Sequence, residues 1–395
     1  MRTSRFGRTR GGMRALLAGL LVAGAGMAGP GVATAAEFVA EQVTVRKMPA
    51  PNPARMYVSD VAISHMIDGR MHIVDGETLK YEGVVGTGFV GLATLSPDRK
   101  EIYVATTYLS RLNRGERTDQ VDVYDSQTLL VKQEIGIPPK HAQALPYKGV
   151  IAVTPDGRFI FVQNATPASS ISVVDRQAGK FVTEVPTPGC WGILVAQSVS
   201  NRFTTVCGDG TLLTVTLGPD GTPGDQQRSE RLFDPDKNPV YTQTENDGDN
   251  YLFLSFHGDV LSANLGGAKA QIGPAWSLLD DAARKENWRP GGYQPFAYHP
   301  GTQRIYVAMH PDGKEGSHKN PAAEIWAFDA TTHARLARVE GNNTVALAVS
   351  KEATPRLFGI DPLSAGLVRY DTAPALKFAQ RMDGFGEAPI LIEMH

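Results

Sequence analysis

Ile73-Val74-Asp75, Val123-Tyr124-Asp125 and Val173-Val174-Asp175 stand 50 residues apart in this chain, each the end of a short strand closed by an aspartate. Trp326-Ala327-Phe328-Asp329 and Val368-Arg369-Tyr370-Asp371 repeat the pattern towards the other end, and Thr216 and Asn264 hold the equivalent places in two weaker units between. The seven landmarks are separated by 50, 50, 41, 48, 65 and 42 residues. A period of roughly 40–50 residues built of short strands is that of β-propeller blades. One four-stranded sheet cannot bury both its faces, but a ring of such sheets can. The sequence therefore reads as all-β, a seven-bladed β-propeller.

The turns agree. Ser96-Pro97-Asp98 leads into Ile102-Tyr103-Val104-Ala105, Thr154-Pro155-Asp156-Gly157 into Phe159-Ile160-Phe161-Val162, and His299-Pro300-Gly301 into Ile305-Tyr306-Val307-Ala308. Proline presets φ, and Asp or Gly tolerates the tight geometry, so these are turns with a mechanism. One helical insertion is expected over about 274–288, with Ser277 as N-cap, Leu278, Leu279, Ala282 and Ala283 as the apolar face, and Pro290-Gly291-Gly292 beyond its end. It would account for the 65-residue step. Two charged loops, Arg111 to Asp119 and His310 to Ala323, interrupt the strands. Such loops carry function more often than strands do, although a solvated hairpin tip is an equally ordinary reading.

Residues 1–36 read as a secretory signal peptide. Arg2, Arg5, Arg8, Arg10 and Arg14 form a basic start, Ala15 to Met27 is apolar and small, and Ala33-Thr34-Ala35-Ala36 offers cleavage after Ala35 or Ala36. The stretch is too short and wrongly flanked for a membrane anchor. Residues 37–395 are then expected to be one exported propeller domain. Without the five arginines of the leader, 39 basic residues become 34 against 41 acidic ones, a net of −7. That balance argues against a nucleic-acid partner. The two cysteines, Cys190 and Cys207, read as a disulfide in an exported protein. They open and close successive strands that a turn at Ser200-Asn201 would set side by side. Closing so short a loop stabilises by about 3 kcal/mol. A redox-active pair is the weaker reading, since there is no C-x-x-C.

Motifs that carry chemistry of their own are few. Gly24, Gly26 and Gly29 match G-x-G-x-x-G but lie in the leader. Gly86, Gly88 and Gly91 match it after a strand, but a further turn and strand follow, and the dinucleotide fingerprint needs a helix there. These glycines are expected to allow a tight backbone path around Phe89. No zinc-protease, nucleophile-elbow, Walker or haem-attachment motif occurs. His310 and His318 share a loop without enough other ligands for a metal. Glu245-Asn246-Asp247-Gly248-Asp249 lacks the spacing of a calcium loop. The blade-end aspartates are expected to accept backbone N–H bonds in turns. With no catalytic residue expected in this chain, an exported propeller of this kind is a scaffold, a binding platform or one subunit of something larger.

Several segments then become recognisable. Arg111-Leu112-Asn113-Arg114-Gly115-Glu116-Arg117-Thr118-Asp119 with Val121-Asp122-Val123-Tyr124-Asp125, Trp288-Arg289-Pro290-Gly291-Gly292-Tyr293, Gly189-Cys190-Trp191 and Val206-Cys207-Gly208-Asp209-Gly210 resemble the large (heavy) subunit of the quinoprotein amine dehydrogenases. The loop His310-Pro311-Asp312-Gly313-Lys314-Glu315-Gly316-Ser317-His318-Lys319, with Pro321 to Trp326, is similar to the aromatic-amine branch more than to the methylamine branch. The resemblance covers nearly the whole chain after the leader. It implies a seven-bladed propeller with an intrachain disulfide, paired in an α2β2 assembly with a small cysteine-rich subunit. That subunit would carry tryptophan tryptophylquinone, built from two of its own tryptophans. The implied reaction is oxidative deamination of a primary amine to an aldehyde and ammonia. Electrons would then pass to an azurin- or amicyanin-like blue copper protein in the periplasm.

The quinone and the catalytic base are expected on the partner. In the family a large-subunit phenylalanine lines the amine's route, and the matching position is Phe89, in Thr87-Gly88-Phe89-Val90-Gly91. An apolar ring flanked by glycines could pack on an aromatic or alkyl substrate. On composition alone it would more readily be a core residue under a loop. Two other classes compete: a stand-alone periplasmic propeller that binds through its loops, and a lactonase-type propeller hydrolase acting alone.

Overall fold

In the computed structural model, which describes residues 44–143 and 146–395, the strands form seven antiparallel sheets of four or five strands. The leader assigned to residues 1–36 lies outside the described residues. Arg46–His395 form one compact unit. The blade containing Leu92–Leu95, Glu101–Leu109, Arg117–Asp125 and Val131–Ile137 is typical: each strand pairs with the next, from the ring's centre outward. Numbering it as the second, blades three to seven follow in chain order. The first blade is closed by both ends of the chain. Its innermost strand is Pro389–Met394, and Met56–Asp60, Gly69–Asp75 and Lys80–Gly88 lie outside it.

The periodic landmarks all fall on the third strand of a blade. In blades two to seven each pairs with the residue that opens the second strand: Asp125 with Glu101, Asp175 with Phe159, Thr216 with Arg202, Asn264 with Asn250, Asp329 with Arg304, Asp371 with Arg356. Even the weak units keep register. The aspartates do what their place suggests. Oδ1 of Asp75 accepts the amides of Glu77 and Thr78, Asp125 those of Gln127 and Thr128, and Asp329 those of Thr331 and Thr332, at 2.8–3.0 Å. Asp371 departs from this, lying 3.9 Å from the Arg369 guanidinium.

Second and third strands carry the core. Phe159–Asn164 and Ser170–Asp175 are buried at every position, because each face packs on a neighbouring blade. Outer strands such as Arg335–Glu340 are largely exposed. The ring closure has polar fastenings. Asp60 accepts the amides of Ala62, Glu387 and Ala388 and lies 3.3 Å from His72 Nε2. Burial opposes ionisation of Asp60, but these bonds outweigh it and hold its carboxyl well below the usual range.

The helical insertion is shorter than 274–288. Trp276–Ser277 is extended and pairs with Asp259–Val260, so Ser277 is no N-cap. The helix is Asp281–Lys285, capped by Asp280, whose carboxylate accepts the Ala283 amide at 2.8 Å. Pairing with the sheet outcompetes helix over the first residues, while Leu278 and Leu279 still bury themselves in the core, with Ala283 and Trp288.

Antiparallel order fixes which connections share a face. The joins between blades and the loops between second and third strands lie at one end of the ring. The turn 88–91, both charged loops and the loops at 61–68 and 362–365 are therefore on the same face.

Candidate functional site

Phe89 sits in the join between the first and second blades. The turn is shaped by its glycines as expected: Gly88 has φ +61°, and a Cβ on Gly91 would lie 1.9 Å from the Thr87 carbonyl oxygen. The turn is tied to the second blade. Phe89 N donates to the Thr107 carbonyl at 3.2 Å, and Thr106 Oγ1 donates to the Thr87 carbonyl at 2.7 Å. Val90 N donates to the Met66 carbonyl of the first blade.

The Phe89 ring is half-buried. It packs on an apolar cluster of Val61, Val90, Leu92, Val150, Ile390 and Leu391, against which Trp191 and Tyr293 also lean. These come from five different blades or their joins, so the cluster forms a floor where the inner strands begin. The Tyr147 and Tyr293 rings are 6.4 Å apart, and Lys319 Nζ stands 5.2 Å from the Tyr293 ring. One charged loop thus leans over this floor.

A polar network lies behind Phe89. The Asp119 side chain is fully buried. Its Oδ1 accepts Thr107 Oγ1 at 2.8 Å and Arg117 Nε at 2.7 Å, and its Oδ2 accepts Arg117 Nη2 at 2.6 Å and the His141 amide at 2.8 Å. Arg117 Nη2 also donates to the His141 carbonyl. Burial pushes the His141 imidazole down to about 4, so it is neutral at neutral pH. Sequence reading missed this network. The one available signal was Arg117-Thr118-Asp119, since residues two apart on a strand share a face.

Three loop tips on this face expose aliphatic side chains: Ile63 is 66 %, Leu112 75 % and Leu363 79 % exposed. They belong to the seventh, first and second blades, which are consecutive in the ring, and the first and second flank the Phe89 join. Isolated exposed apolar residues are ordinary, but an arc of three on neighbouring loops suits a covered surface. Of the two histidines of the other charged loop, His310 is buried with its Nδ1 3.0 Å from the Pro311 carbonyl, and His318 is exposed. Among the described residues no group of three or more His, Cys, Asp or Glu could hold a metal ion.

The ring encloses a central cavity of about 1190 Å³, lined by the inner strands. Its charged lining includes Arg99, Lys148, Glu245, Lys351 and Glu393. Burial raises the Glu245 pKa and lowers that of Lys351. The disulfide Cys190–Cys207 forms, between directly paired residues of the first two strands of the fourth blade.

Tryptophans separated in sequence do meet here. The Trp288 and Trp326 rings are 5.0 Å apart at 43°. They do not fit a quinone site. Trp288 is 5 % and Trp326 0 % exposed, their indole N–H groups donate to Glu286 and Glu324, and the Arg338 guanidinium covers both rings. An amine could not reach either ring.

A family model described as methylamine dehydrogenase heavy chain (MADH) matches residues 52–394, the whole ring. The methylamine dehydrogenase heavy chain of Methylophilus methylotrophus is 26% identical over 358 residues, covering 89% of this chain and 86% of that one. The Methylorubrum extorquens heavy chain is 28% identical over 374 residues, covering 90% and 89%. Among solved structures, a putative 6-phosphogluconolactonase from Bacteroides fragilis superposes with a TM-score of 0.60 at 10% identity, covering 90% of this chain and 99% of that one. The dihydro-heme d1 dehydrogenase NirN gives 0.56 at 15%, covering 89% and 77%. At such identities these two show the propeller fold alone.

Proposed function

This chain belongs to the methylamine dehydrogenase heavy-chain family, and from that premise we propose that it is the large, quinone-free subunit of an exported amine dehydrogenase. The observation that carries the reading is the family match across all seven blades. In this reading the protein acts in the periplasm as an α2β2 assembly, after removal of residues 1–36. The domain that remains is 37–395. Tryptophan tryptophylquinone belongs to the small subunit, in keeping with the inaccessible Trp288–Trp326 pair here. A primary amine and water become an aldehyde and ammonia, and the two electrons released leave singly for a blue copper protein. No helix among the described residues is long and apolar enough to cross a membrane.

The small subunit docks on the face that carries Ile63, Leu112 and Leu363. Phe89 then lies under the interface and lines the amine's approach. Obligate interfaces commonly bury roughly 2,000–5,000 Å² and are rich in apolar side chains. The preferred substrate is an aromatic primary amine. This rests on the 310–326 loop and on the aromatic floor of Phe89, Trp191 and Tyr293. Methylamine, named for the relatives, is the competing substrate.

The test is purification of the untagged chain from its native periplasm, with mass spectrometry and a visible spectrum of what co-elutes. A small cysteine-rich partner whose quinone absorbance bleaches with tyramine or phenethylamine supports the reading. Bleaching by methylamine alone keeps the family and overturns the aromatic preference. A colourless monomer overturns the subunit assignment in favour of a stand-alone binding propeller.

A further inference from the structure

We infer that Thr107 and Asp119 are positioning residues for Phe89, setting the width of the amine's path without touching the amine; the inference rests on the reading of Phe89 above. The Phe89 ring packs on the apolar floor, and its turn is held by three hydrogen bonds, of which the Phe89 amide makes one. Glycines flank its turn at 88 and 91, and its amide is held by one acceptor, the Thr107 carbonyl. The position of that carbonyl follows from the end of the strand Glu101–Leu109, where Thr107 is paired with Asp119. The same two residues are joined by their side chains, Thr107 Oγ1 donating to Asp119 Oδ1 at 2.8 Å. Both are essentially inaccessible, at 1 % exposure each.

Asp119 is itself fixed. Four donors fill its two oxygens, two of them from the planar Arg117 fork, a geometry that leaves a carboxylate no rotational freedom. Arg117 opens the strand Arg117–Asp125 that follows the tip of the charged loop, and His141 belongs to the join into the third blade. Three segments of the binding face thus meet at one carboxylate, and the Thr107 carbonyl carries their position to the Phe89 amide. The network has a plain structural use, but that use does not require it to end on the turn that carries the substrate-path ring. A displacement of about 1 Å at such a ring is enough to change rates by up to roughly a hundredfold.

The experiment uses the purified complex with its small subunit and compares kcat/KM for one small and one bulky primary amine. Thr107→Val removes only the hydroxyl and leaves Asp119 its Arg117 fork and the His141 amide. It is expected to shift the bulky-to-small ratio about tenfold, consistent with a sub-ångström displacement. Thr107→Ser keeps the hydroxyl and is expected to restore the ratio. Phe89→Ala is expected to shift the ratio by itself, and Phe89→Ala with Thr107→Val to shift it no further, since residues acting through one another are not additive. If Phe89→Ala shifts the ratio and Thr107→Val does not, or if the two shifts simply add, the positioning role is overturned while the Phe89 reading stands. If Phe89→Ala leaves the ratio unchanged, the Phe89 reading fails and takes this inference with it. Should Thr107→Val fold poorly, Asp119→Asn, which keeps the shape but turns one of the two acceptor oxygens into a donor, is read against the same Phe89 cycle.

Discussion

Replacing Gln294 with Met should loosen the closure of the ring. Gln294 is fully buried. Its backbone joins the seventh blade, N donating to the Val345 carbonyl at 3.1 Å and its carbonyl accepting the Leu347 amide at 2.8 Å. Its side-chain amide reaches the other way, to the closing strand. Nε2 donates to the Ile392 carbonyl at 3.1 Å, and Oε1 accepts the Ile392 amide at 3.0 Å. A primary amide carries both a donor and an acceptor, so it can stand in for a missing strand at the free edge of Pro389–Met394. Methionine matches its length and volume but offers neither group. Two buried backbone groups are then left unpaired at about 1–3 kcal/mol each, or about 2–6 kcal/mol in all. Set against a typical total stability of about 5–15 kcal/mol, that is a large share. The loss should appear first as local opening, read by native-state hydrogen exchange of the peptide 389–395, whose protection should fall by roughly thirtyfold or more. Gln226→Met, at an exposed position, is the control and should lie within about 0.5 kcal/mol of the parent. Unchanged protection of 389–395, together with an unchanged denaturation midpoint, would refute the argument that this amide replaces a strand.

Serine at both Cys190 and Cys207 should cost about 3 kcal/mol, because the bridge closes a loop with a sequence separation of 17; a urea midpoint equal to that of the parent would show the bridge to be idle. His141 is held neutral in the fold down to about 4, below its ordinary 6.5, so the unfolded chain takes up its proton first as pH falls. Stability from this group is complete above pH 6.5 and declines towards about 4, by on the order of 3 kcal/mol. His141→Gln should flatten that part of the stability–pH curve, and an unaltered slope would count against the assignment. Leu112→Asp combined with Leu363→Asp should weaken co-elution of the small subunit, whereas Leu336→Asp, on an outer strand where the side chain is 49 % exposed, should not. Equal loss from both would mean general destabilisation and no docking face.

The fold was legible because its signals are local and repeated. Each landmark residue keeps its place at the end of a third strand, so seven imperfect copies can be aligned even where Thr216 and Asn264 replace aspartate. The disulfide was legible for the same reason, since both cysteines lie on one hairpin. What escaped depends on groups distant in sequence. Gln294 and Ile392 are 98 residues apart and Asp60 and Ala388 328 apart, and no periodicity marks such pairs. The helix over 274–288 was overestimated for a related reason. Leu278, Leu279, Ala282 and Ala283 have helical spacing, but the pairing of Trp276–Ser277 with Asp259–Val260 is a tertiary preference that overrides it.

On the proposed reading the candidate site is legible only in part, because its function would be divided between chains. A catalytic constellation announces itself by residue types that are costly to bury without purpose. A surface that positions another chain's chemistry uses ordinary residues, and their meaning lies in where the fold brings them. Phe89 is one phenylalanine among fifteen. Leu112 and Leu363 are unremarkable in their own loops. They become informative once the ring puts three aliphatic tips on consecutive blades, two of which flank the glycine-bounded turn of Phe89. The charged network behind Phe89 follows the same logic. Arg117 and Asp119 are close enough in sequence to suggest an ion pair, yet nothing local tells that Thr107 completes it or that its carbonyl holds Phe89. On that reading the chemistry this chain contributes is placement. Its proper test is substitution at positions one bond removed from the substrate path, where a change in amine preference without loss of assembly separates placement from mere stability.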